Sequence, residues 1–593
     1  PIGSLDPIMP KENYEDLNTL FAPYFANALD KIGSLYYTKE SFDGTYPGYG
    51  SSYPDLQGGL ALLFEQASSR GHIQDTDYGK ITFPFTIRNQ FTSTFATIKA
   101  AVENKGYLRK YQQEFFKSSL TKKATSGFSG YEFQEKYDQN RKKAFIAQLL
   151  THKIKVYKKG DTYTVPLKQP QHRMVQTMFE TYNKYSDSVF YDASAWSLAN
   201  FYNMKYKGVK SVKLGTEVTS TKGIVQNNKI TKASYAYIVN WDDYNTPAAL
   251  YYMQSKGLKV AAAFKPFTIG TSDGEINFNY GSLLIPVSKQ EKTSLEVYQI
   301  VLAAQEKFNV PVSGTNSGYS IKGIDLGSNN FRVLKKPKVA MLIGEGVSSY
   351  EAGEVWHLLD TRIHIPMTKI RMNNYSNANL DKYNTLVMVS GKYNQLDSLK
   401  RQKLKNWTAK GNTLITIAGG SKWVIDKKIV KESLIKKETA TEKENKNKKE
   451  DTSTKVVELT KRLPYVEASE HIGRERIGGA IFEVELDITH PLGFGYRSSK
   501  LPVYKNNLVF LAPSKNPYAT VAKYTENPHI DGFISKDNLE KFIKPAASLI
   551  VSELGKGRVV LFADNPNFRG AWYGTNKLFL NALFLGAEIS VPK

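Results

Sequence analysis

Three short apolar runs limit what this chain can fold into more than any other feature: Val339-Ala-Met-Leu-Ile343, Thr385-Leu-Val-Met-Val389 and the stretch from Thr413 through Ile417 to Ser421. Each is too short for a buried helix and too uniformly apolar for a strand with one wet face, so each predicts a strand covered on both sides. Between them lie segments of helical character, one running through Trp356 to Leu359 and one around Leu404 and Trp407. A βαβαβ succession of this kind predicts a doubly wound parallel sheet. At 593 residues the chain is too long for one core, and its length suggests about four domains. An apolar share of 41% with 12% aromatics supplies folded cores and excludes global disorder.

The third run ends in Ala418-Gly-Gly-Ser421. This arrangement resembles the class I glutamine amidotransferase fold, in which a catalytic Cys sits on a tight elbow after such a strand. The resemblance puts the elbow at Gly420 and Ser421. The chain has no Cys, and the His-x-Glu that completes the family's triad is also lacking. The expectation for 336–593 is therefore a non-catalytic amidotransferase-like domain. A Ser421 nucleophile is conceivable there but has no His partner. Gly344-Glu-Gly346 lacks the third glycine and the Lys-Ser/Thr of phosphate-binding loops. Glu354 and His357 share one helix and read as a surface or domain contact rather than a metal site. Asp487 and His490 lie at a strand end, where a turn held by Asp and Thr side chains is the expected role.

The stretch with most functional content is Tyr46-Pro-Gly-Tyr-Gly-Ser-Ser-Tyr-Pro-Asp55, followed by Gly58-Gly-Leu-Ala-Leu-Leu-Phe-Glu65. Pro47, Gly48, Gly50 and Pro54 among aromatics predict a loop. Leu60–Phe64, bounded by glycines and small polar residues, predicts a strand buried on both faces, with Glu65 at its carboxyl end. In an open α/β sheet that end faces the ligand crevice, where partial desolvation raises a carboxyl pKa and suits it to acid/base work. The competing reading is a buried carboxylate paired to an Arg such as Arg70.

A Tyr-bearing Gly/Ser loop with an Asp, then an apolar run ending in Phe-Glu, resembles the C-terminal part of the zinc carboxypeptidases of the carboxypeptidase A type. The resemblance implies that Glu65 activates a zinc-bound water and that Tyr46, or Tyr49, closes over the substrate's C-terminal carboxylate. Asp55 occupies the place of the loop Asp before the strand. The likeness covers about residues 1–117. The string Leu63-Phe-Glu-Gln-Ala-Ser-Ser-Arg-Gly71, together with the amidotransferase-like tail, resembles large envelope carboxypeptidase-like proteins of Bacteroidetes-type bacteria. The family binds zinc through His-x-x-Glu and a later His, all upstream of this loop. No His-x-x-Glu occurs in the chain, whose first His is His72. Zinc is thus an expected cofactor whose ligands lie upstream, since Pro1-Ile-Gly-Ser has no initiator Met; otherwise catalysis has been lost.

The remaining segments are read more briefly. Residues 11–33 predict an amphipathic helix leading into a short strand, Ser34–Tyr37. Arg88–Phe116 predicts a long helix with Phe91, Phe95, Ile98, Val102 and Leu108 inward. Residues 118–335 form an α/β middle region, with strands at Thr162–Val165, Tyr235–Val239, Leu258–Phe264 and Ser282–Val287 and helices at Pro247–Gln254 and Ser294–Phe308. Residues 431–455, rich in Lys, Glu, Asn and Thr, predict a solvated, mobile insertion. A net charge of +24 on scattered lysines, without a nucleic-acid-binding motif, reads as surface solvation, so no nucleic-acid partner is expected. No stretch approaches the roughly 20 apolar residues of a membrane span.

Together these readings give an α/β protein: the C-terminal part of a zinc-carboxypeptidase fold over 1–117, an α/β middle region over 118–335 and a doubly wound domain over 336–593. The expected activity is hydrolysis of C-terminal peptide bonds by an extracytoplasmic metallocarboxypeptidase. Its partners are a peptide substrate and the N-terminal part of the same protein. The competing expectation is an inactive peptidase-like module in an envelope uptake or secretion complex.

Overall fold

The computed structural model describes residues 6–38, 44–67, 69, 71–121, 126–185, 190, 192–227, 229–436, 462–590 and 592. Residues 437–455 of the expected insertion, and Arg70, lie outside them. The protein is mixed α/β and divides into two compact units, the first comprising 1–134, 148–198 and 206–219, the second 135–147, 199–205 and 220–593.

In the first unit the expected leading helix forms as Asn18–Asp30, preceded by a wide turn at Asn13–Leu17. No strand forms over Ser34–Tyr37, where Leu35 and Tyr37 are exposed. The expected long helix forms as two, Phe83–Glu103 and Lys105–Thr121, parted at Asn104. Thr82 accepts from Phe85 N at 3.4 Å and caps the first of these, with Pro84 in the opening turn where its missing N–H costs nothing.

The expected inward face of that helix is reversed. Asn89, Ser93, Ala96 and Ala100 are its buried residues; Ala96 and Ala100 pack with Phe21 and Phe25 of the leading helix, and Asn89 Nδ2 donates to Ser34 Oγ at 2.7 Å. Phe91 (63% exposed), Phe95, Ile98 and Val102 point outward, while Leu108 is half-buried against the Phe21 cluster. At 100° per residue the two sets fall on opposite sides of the helix. Small residues let the two helices approach closely, and the large apolar ones are left on the far side. The unit also holds a five-stranded sheet in the order Lys205–Val209, Gly130–Gln134, Thr162–Pro166, Tyr157–Lys159, Thr216–Glu217.

The second unit begins with antiparallel structure. A five-stranded sheet runs in the order Ser313–Thr315, Ala236–Val239, Leu283–Pro286, Ala261–Ala263, Phe331–Val333. The helices Thr246–Ser255 and Ser294–Phe308 form as expected, the latter closed by a capping box between Thr293 and Glu296.

The largest sheet has nine strands. In chain order they are β1 (Val339–Ile343), β2 (Met367–Arg371), β3 (Thr385–Met388), β4 (Thr413–Ile417), β5 (Ala480–Leu486), β6 (Lys500–Lys505), β7 (Thr520–Asp531), β8 (Ala547–Leu554) and β9 (Gly557–Phe562). In space the order is β2-β1-β3-β4-β9-β8-β7-β5-β6. The pairs from β2 to β9 are parallel, with Val339 opposite Met367 and Thr385, and Thr413 opposite Thr385 and Arg558. The chain between β4 and β9 is an antiparallel arm added to the far edge. The doubly wound expectation holds for the parallel half. Every residue of β3 and β4 is buried, as strands covered by helices on both faces must be. Helices α1 (Ser349–His357), α2 (Ser398–Ala409), α3 (Gly419–Asp426) and α4 (Tyr573–Phe584) pack around it. The strand order reverses direction between β1 and β3, the point at which open α/β sheets bind ligands, and here the loops after the two strands are joined by the Val347–Gly391 bridge.

Candidate functional site

In the first unit the Tyr-rich segment is a loop, as its prolines and glycines demand, with one short helix at Ser52–Leu56. Tyr46 lies over Trp196, ring centroids 4.1 Å apart, and meets Tyr49 edge-on at 4.9 Å. The Tyr49 hydroxyl donates to Asp192 Oδ2 at 3.4 Å, and the Tyr53 hydroxyl is 2.9 Å from His152 Nδ1. These contacts hold the Tyr46 ring against the body of the unit. Asp55 is buried, and its Oδ1 accepts from Ala61 N at 2.7 Å. Burial pushes its carboxyl up to about 6, against the lowering effect of the Ala61 N–H and Asn13. Asn13 Nδ2 also donates to Gly59 O and Tyr111 Oη at 3.1 and 3.2 Å, so Asp55 and Asn13 together set the turn that launches Leu60. At Gly58 (φ +83°) a Cβ would stand 2.9 Å from the Phe115 ring, so the turn needs glycine twice over.

The segment after this turn differs from expectation. Leu60–Phe64 is not a strand, and among the described residues no ladder pairs its backbone. Leu60 and Leu62 rest on the Phe21 cluster, and the Phe64 ring meets Phe25 edge-on at 4.8 Å. Leu63, half exposed, and Glu65, fully in the exposed class, face outward. A strand exists only by pairing, and the sequence cannot say whether a neighbour is present. Glu65 is therefore an exposed carboxylate at the end of an unpaired apolar run, with neither a crevice wall nor a sealed interior around it.

Among the described residues no three His, Asp or Glu side chains are placed to hold a metal ion. The described residues do not fit a zinc site by themselves.

The large sheet of the second unit carries an elbow, at a different residue from the one expected. Ala418, directly after β4, has φ +46° and ψ −110°. This is a strained conformation for a residue with a side chain, and it makes the sharp strand-to-helix turn on which nucleophiles are displayed. Ala418 N donates to Phe562 O of β9 at 2.8 Å, which holds the turn from the neighbouring strand. Gly420 lets α3 start against β3, since a Cβ there would lie 2.5 Å from Met388 O. Ser421 is fully buried, and its hydroxyl is committed to Thr416 Oγ1, Thr416 O and Phe562 O at 2.8 to 3.0 Å. The resemblance implied an elbow at Gly420 and Ser421. The backbone puts it at Ala418, whose methyl has no chemistry.

Around the elbow, polar groups satisfy one another. Gly419 N donates to Ser390 Oγ at 2.9 Å, and Ser390 N donates to Glu351 Oε2 at 2.8 Å. Burial raises the Glu351 carboxyl, opposed by the Ser390 backbone and side-chain hydrogen bonds. Glu354, one turn on, accepts from Asn565 Nδ2 and Arg569 N, both at 2.6 Å. Burial pushes Glu354 up to about 7, against those two donors, and Glu351 adds to the rise. His357 makes no hydrogen bond with Glu354 among the described residues; its exposed ring lies against Gly570, so both residues of α1 meet the loop after β9. Between the loops after β1 and β3, Lys392 N donates to Gly346 O and Ser348 N to Ser390 O, at 2.9 and 2.8 Å. Asp487 accepts from Thr489 N and Oγ1, and His490 Nδ1 from Leu492 N, which is the expected turn. The Glu351–Ser390–Gly419 chain was missed in the sequence because its members come from three separate connections.

No known protein family matches this chain, and no curated protein matches it. Among solved structures, similar chains include PurLQS from Thermotoga maritima, 12% identical, covering 42% of this chain and 97% of that one at a TM-score of 0.26. A ThuA-like protein from Parabacteroides merdae is 12% identical over 44% of this chain and 92% of its own, at 0.27. A β-galactosidase from Bacillus circulans sp. alkalophilus is 13% identical over 42% and 30%, at 0.20. Likenesses at this level carry no argument about function.

Proposed function

We propose that this chain is the C-terminal portion of an extracytoplasmic zinc metallocarboxypeptidase-like protein that hydrolyses C-terminal peptide bonds. The zinc ligands then come from a portion upstream of Pro1. What supports the reading, beside the resemblance of residues 46–71, is the state of the first unit. The leading helix packs on the helix Phe83–Glu103 through Phe21, Phe25, Ala96 and Ala100, and Glu65, at the end of the run whose Leu60 and Leu62 rest on that cluster, is exposed. In the proposed role Glu65 takes a proton from water, and Tyr46 leaves Trp196 to meet the substrate carboxylate. The amidotransferase-like fold of the second unit serves as a scaffold, and the peptide is the only small partner assigned.

The test is peptidase activity of the natural full-length protein against peptides with free and amidated C-termini. Activity on the free form that falls about 100-fold or more in Glu65→Gln supports the reading, since general base catalysis contributes on that scale. Wild-type rates in that variant would remove Glu65 from its role.

One observation favours the second reading, an interaction module of an envelope complex. The elbow of the second unit keeps its strained backbone with alanine in place of a nucleophile. An inactive full-length protein that co-purifies with envelope subunits would establish that reading instead.

A further inference from the structure

We infer that the second unit carries a binding site for a neutral oligosaccharide, in a cleft beside Ser313–Thr315, the edge strand of its five-stranded sheet. The site lies wholly within that unit and takes nothing from the peptidase reading above.

The cleft has a volume of about 350 Å³ and is enclosed by the edge strand, the tip of the hairpin formed by Phe267–Thr271 and Gly274–Phe278, and the segment 231–233. Two hydrogen bonds clamp the hairpin to the strand. Ser272 N donates to Gly314 O at 3.0 Å, and Thr315 Oγ1 donates to Gly270 O at 2.9 Å. Gly314 brings the strand close to the segment 231–233, since a Cβ there would stand 3.1 Å from Ala233 Cβ. The walls are therefore set before anything binds, which lowers the ordering cost of binding. At one end Asn316 Oδ1 accepts from Ser234 N at 2.7 Å and from Ser234 Oγ at 2.9 Å. This orients the amide and leaves its Nδ2 without a partner among the described residues. The Lys232 ammonium and the hydroxyls of Thr231 and Ser272 are likewise unengaged there.

The lining selects the class of ligand. Apart from the Ala233 methyl and glycine backbone it is polar, so it offers a lipid or an apolar peptide side chain nothing to be buried against. Lys232 is its one charged residue among those described, and it is exposed. A phosphate site gathers converging N–H groups or several cations instead. Hydroxyls donate and accept at one atom, and an amide offers both functions, so the groups left over match a ligand with hydroxyls at successive positions. A sugar chain is such a ligand. Beside the cleft, Tyr235 (42% exposed) and Tyr319 (75% exposed) add ring surface. Tyr235 lies across Gly318, where a Cβ would clash with its hydroxyl, and this brings the ring next to Ser317 of the lining. The C–H face of a sugar packs on such a ring while its hydroxyls stay wet. The volume is near the lower end of the range of about 300 to 1,000 Å³ for ligand pockets, so a short segment fits.

Saturation-transfer NMR on the 593-residue chain with maltotriose, cellotriose and chitotriose, beside a titration with inorganic phosphate, tests this. At least one trisaccharide is expected to receive saturation, with a Kd of about 1 mM or tighter. Gly270→Leu should weaken that binding at least about 10-fold. Gly270 lines the cleft at an ordinary φ and a Cβ there meets nothing within 4 Å, so leucine takes up cleft space without straining the hairpin. Asn316→Ala should weaken it about 5-fold, the scale of one hydrogen bond. Melting of both variants should match the parent, and Asn316→Ala decides the matter if leucine disturbs the hairpin. Saturation of none of the three sugars overturns the inference. So does binding that neither variant weakens, which would put the sugar elsewhere, or binding of phosphate without any sugar, which would make this an anion site.

Discussion

Leu60-Ala-Leu-Leu-Phe64 and Thr413-Leu-Ile-Thr-Ile417 are close in hydrophobic pattern: each is a five-residue run without a charge, the first stopped by Glu65 and the second running on through Ala418 to Gly419. Among the described residues the first pairs with no strand, and the other, β4, is a buried inner strand of a nine-stranded sheet. The difference lies in their neighbours. β4 has β3 on one side and β9 on the other, with helices above and below, and its backbone and side chains are satisfied together. Leu60–Phe64 rests on two helices and, among the described residues, pairs with no strand. An apolar run thus records a demand for cover, and only the rest of the protein decides whether the demand is met.

The strongest way to break this contrast is to trim both runs. Ile415→Ala in β4 should cost about 3 to 4 kcal/mol, because a fully packed site cannot collapse around the cavity. Leu63→Ala in the same 593-residue chain should cost under about 0.5 kcal/mol, as at other exposed positions. Denaturant melts of the two variants check this. Equal losses would mean that the two runs are packed alike.

Next in size is a pH effect at a carboxylate held by the loop after β9. The folded pKa of Glu354 is raised to about 7 from 4.5, so the folded state binds more protons than the unfolded one between those values. Stability from this group is present at low pH, declines as pH rises through that window and is lowest above about 7, by up to about 3 kcal/mol. Glu354→Gln keeps an acceptor for its donors and should flatten the fall between pH 5 and pH 8. Melting curves at the two pH values measure it, and a slope unchanged by the substitution would refute the assignment. Glu65→Gln should leave the stability of the 593-residue chain within about 0.5 kcal/mol, as a surface substitution does.

Smaller effects sharpen the account of the elbow and the loop. Ser421→Ala removes a buried hydroxyl from three partners and should cost about 1 to 2 kcal/mol in melts. The same variant should leave labelling by serine-directed acylating probes unchanged, because Ser421 Oγ has no exposure. Trp196→Ala should cost about 1 kcal/mol and release Tyr46, seen as faster exchange of the loop amides, since a ring pair contributes on that scale.

The parallel half of the large sheet was legible because its strands are buried on both faces and its helices recur at the right intervals. The middle strands and both middle helices were legible for similar reasons, within a residue or three at their ends. The face of the helix Phe83–Glu103 was not. Its large apolar residues form a regular stripe, and pattern alone assigns such a stripe to the core. Asn89, Ser93, Ala96 and Ala100 form an equally regular stripe of small residues, which is the signal of close helix approach and was available to be read. The elbow was misplaced for a different reason: a left-handed φ at an alanine leaves no mark in composition.

What the sequence determined on its own was periodicity and its consequences: where most helices and the strands of the parallel half form, and that no cysteine nucleophile or complete zinc motif exists in the chain. The tertiary structure decided which of those elements found partners, which side of a helix faces inward, and that Ala418 rather than Ser421 occupies the turn. Local patterns encode what each segment must bury or pair, and burial and pairing are relations between distant segments, fixed only when the chain has folded around them.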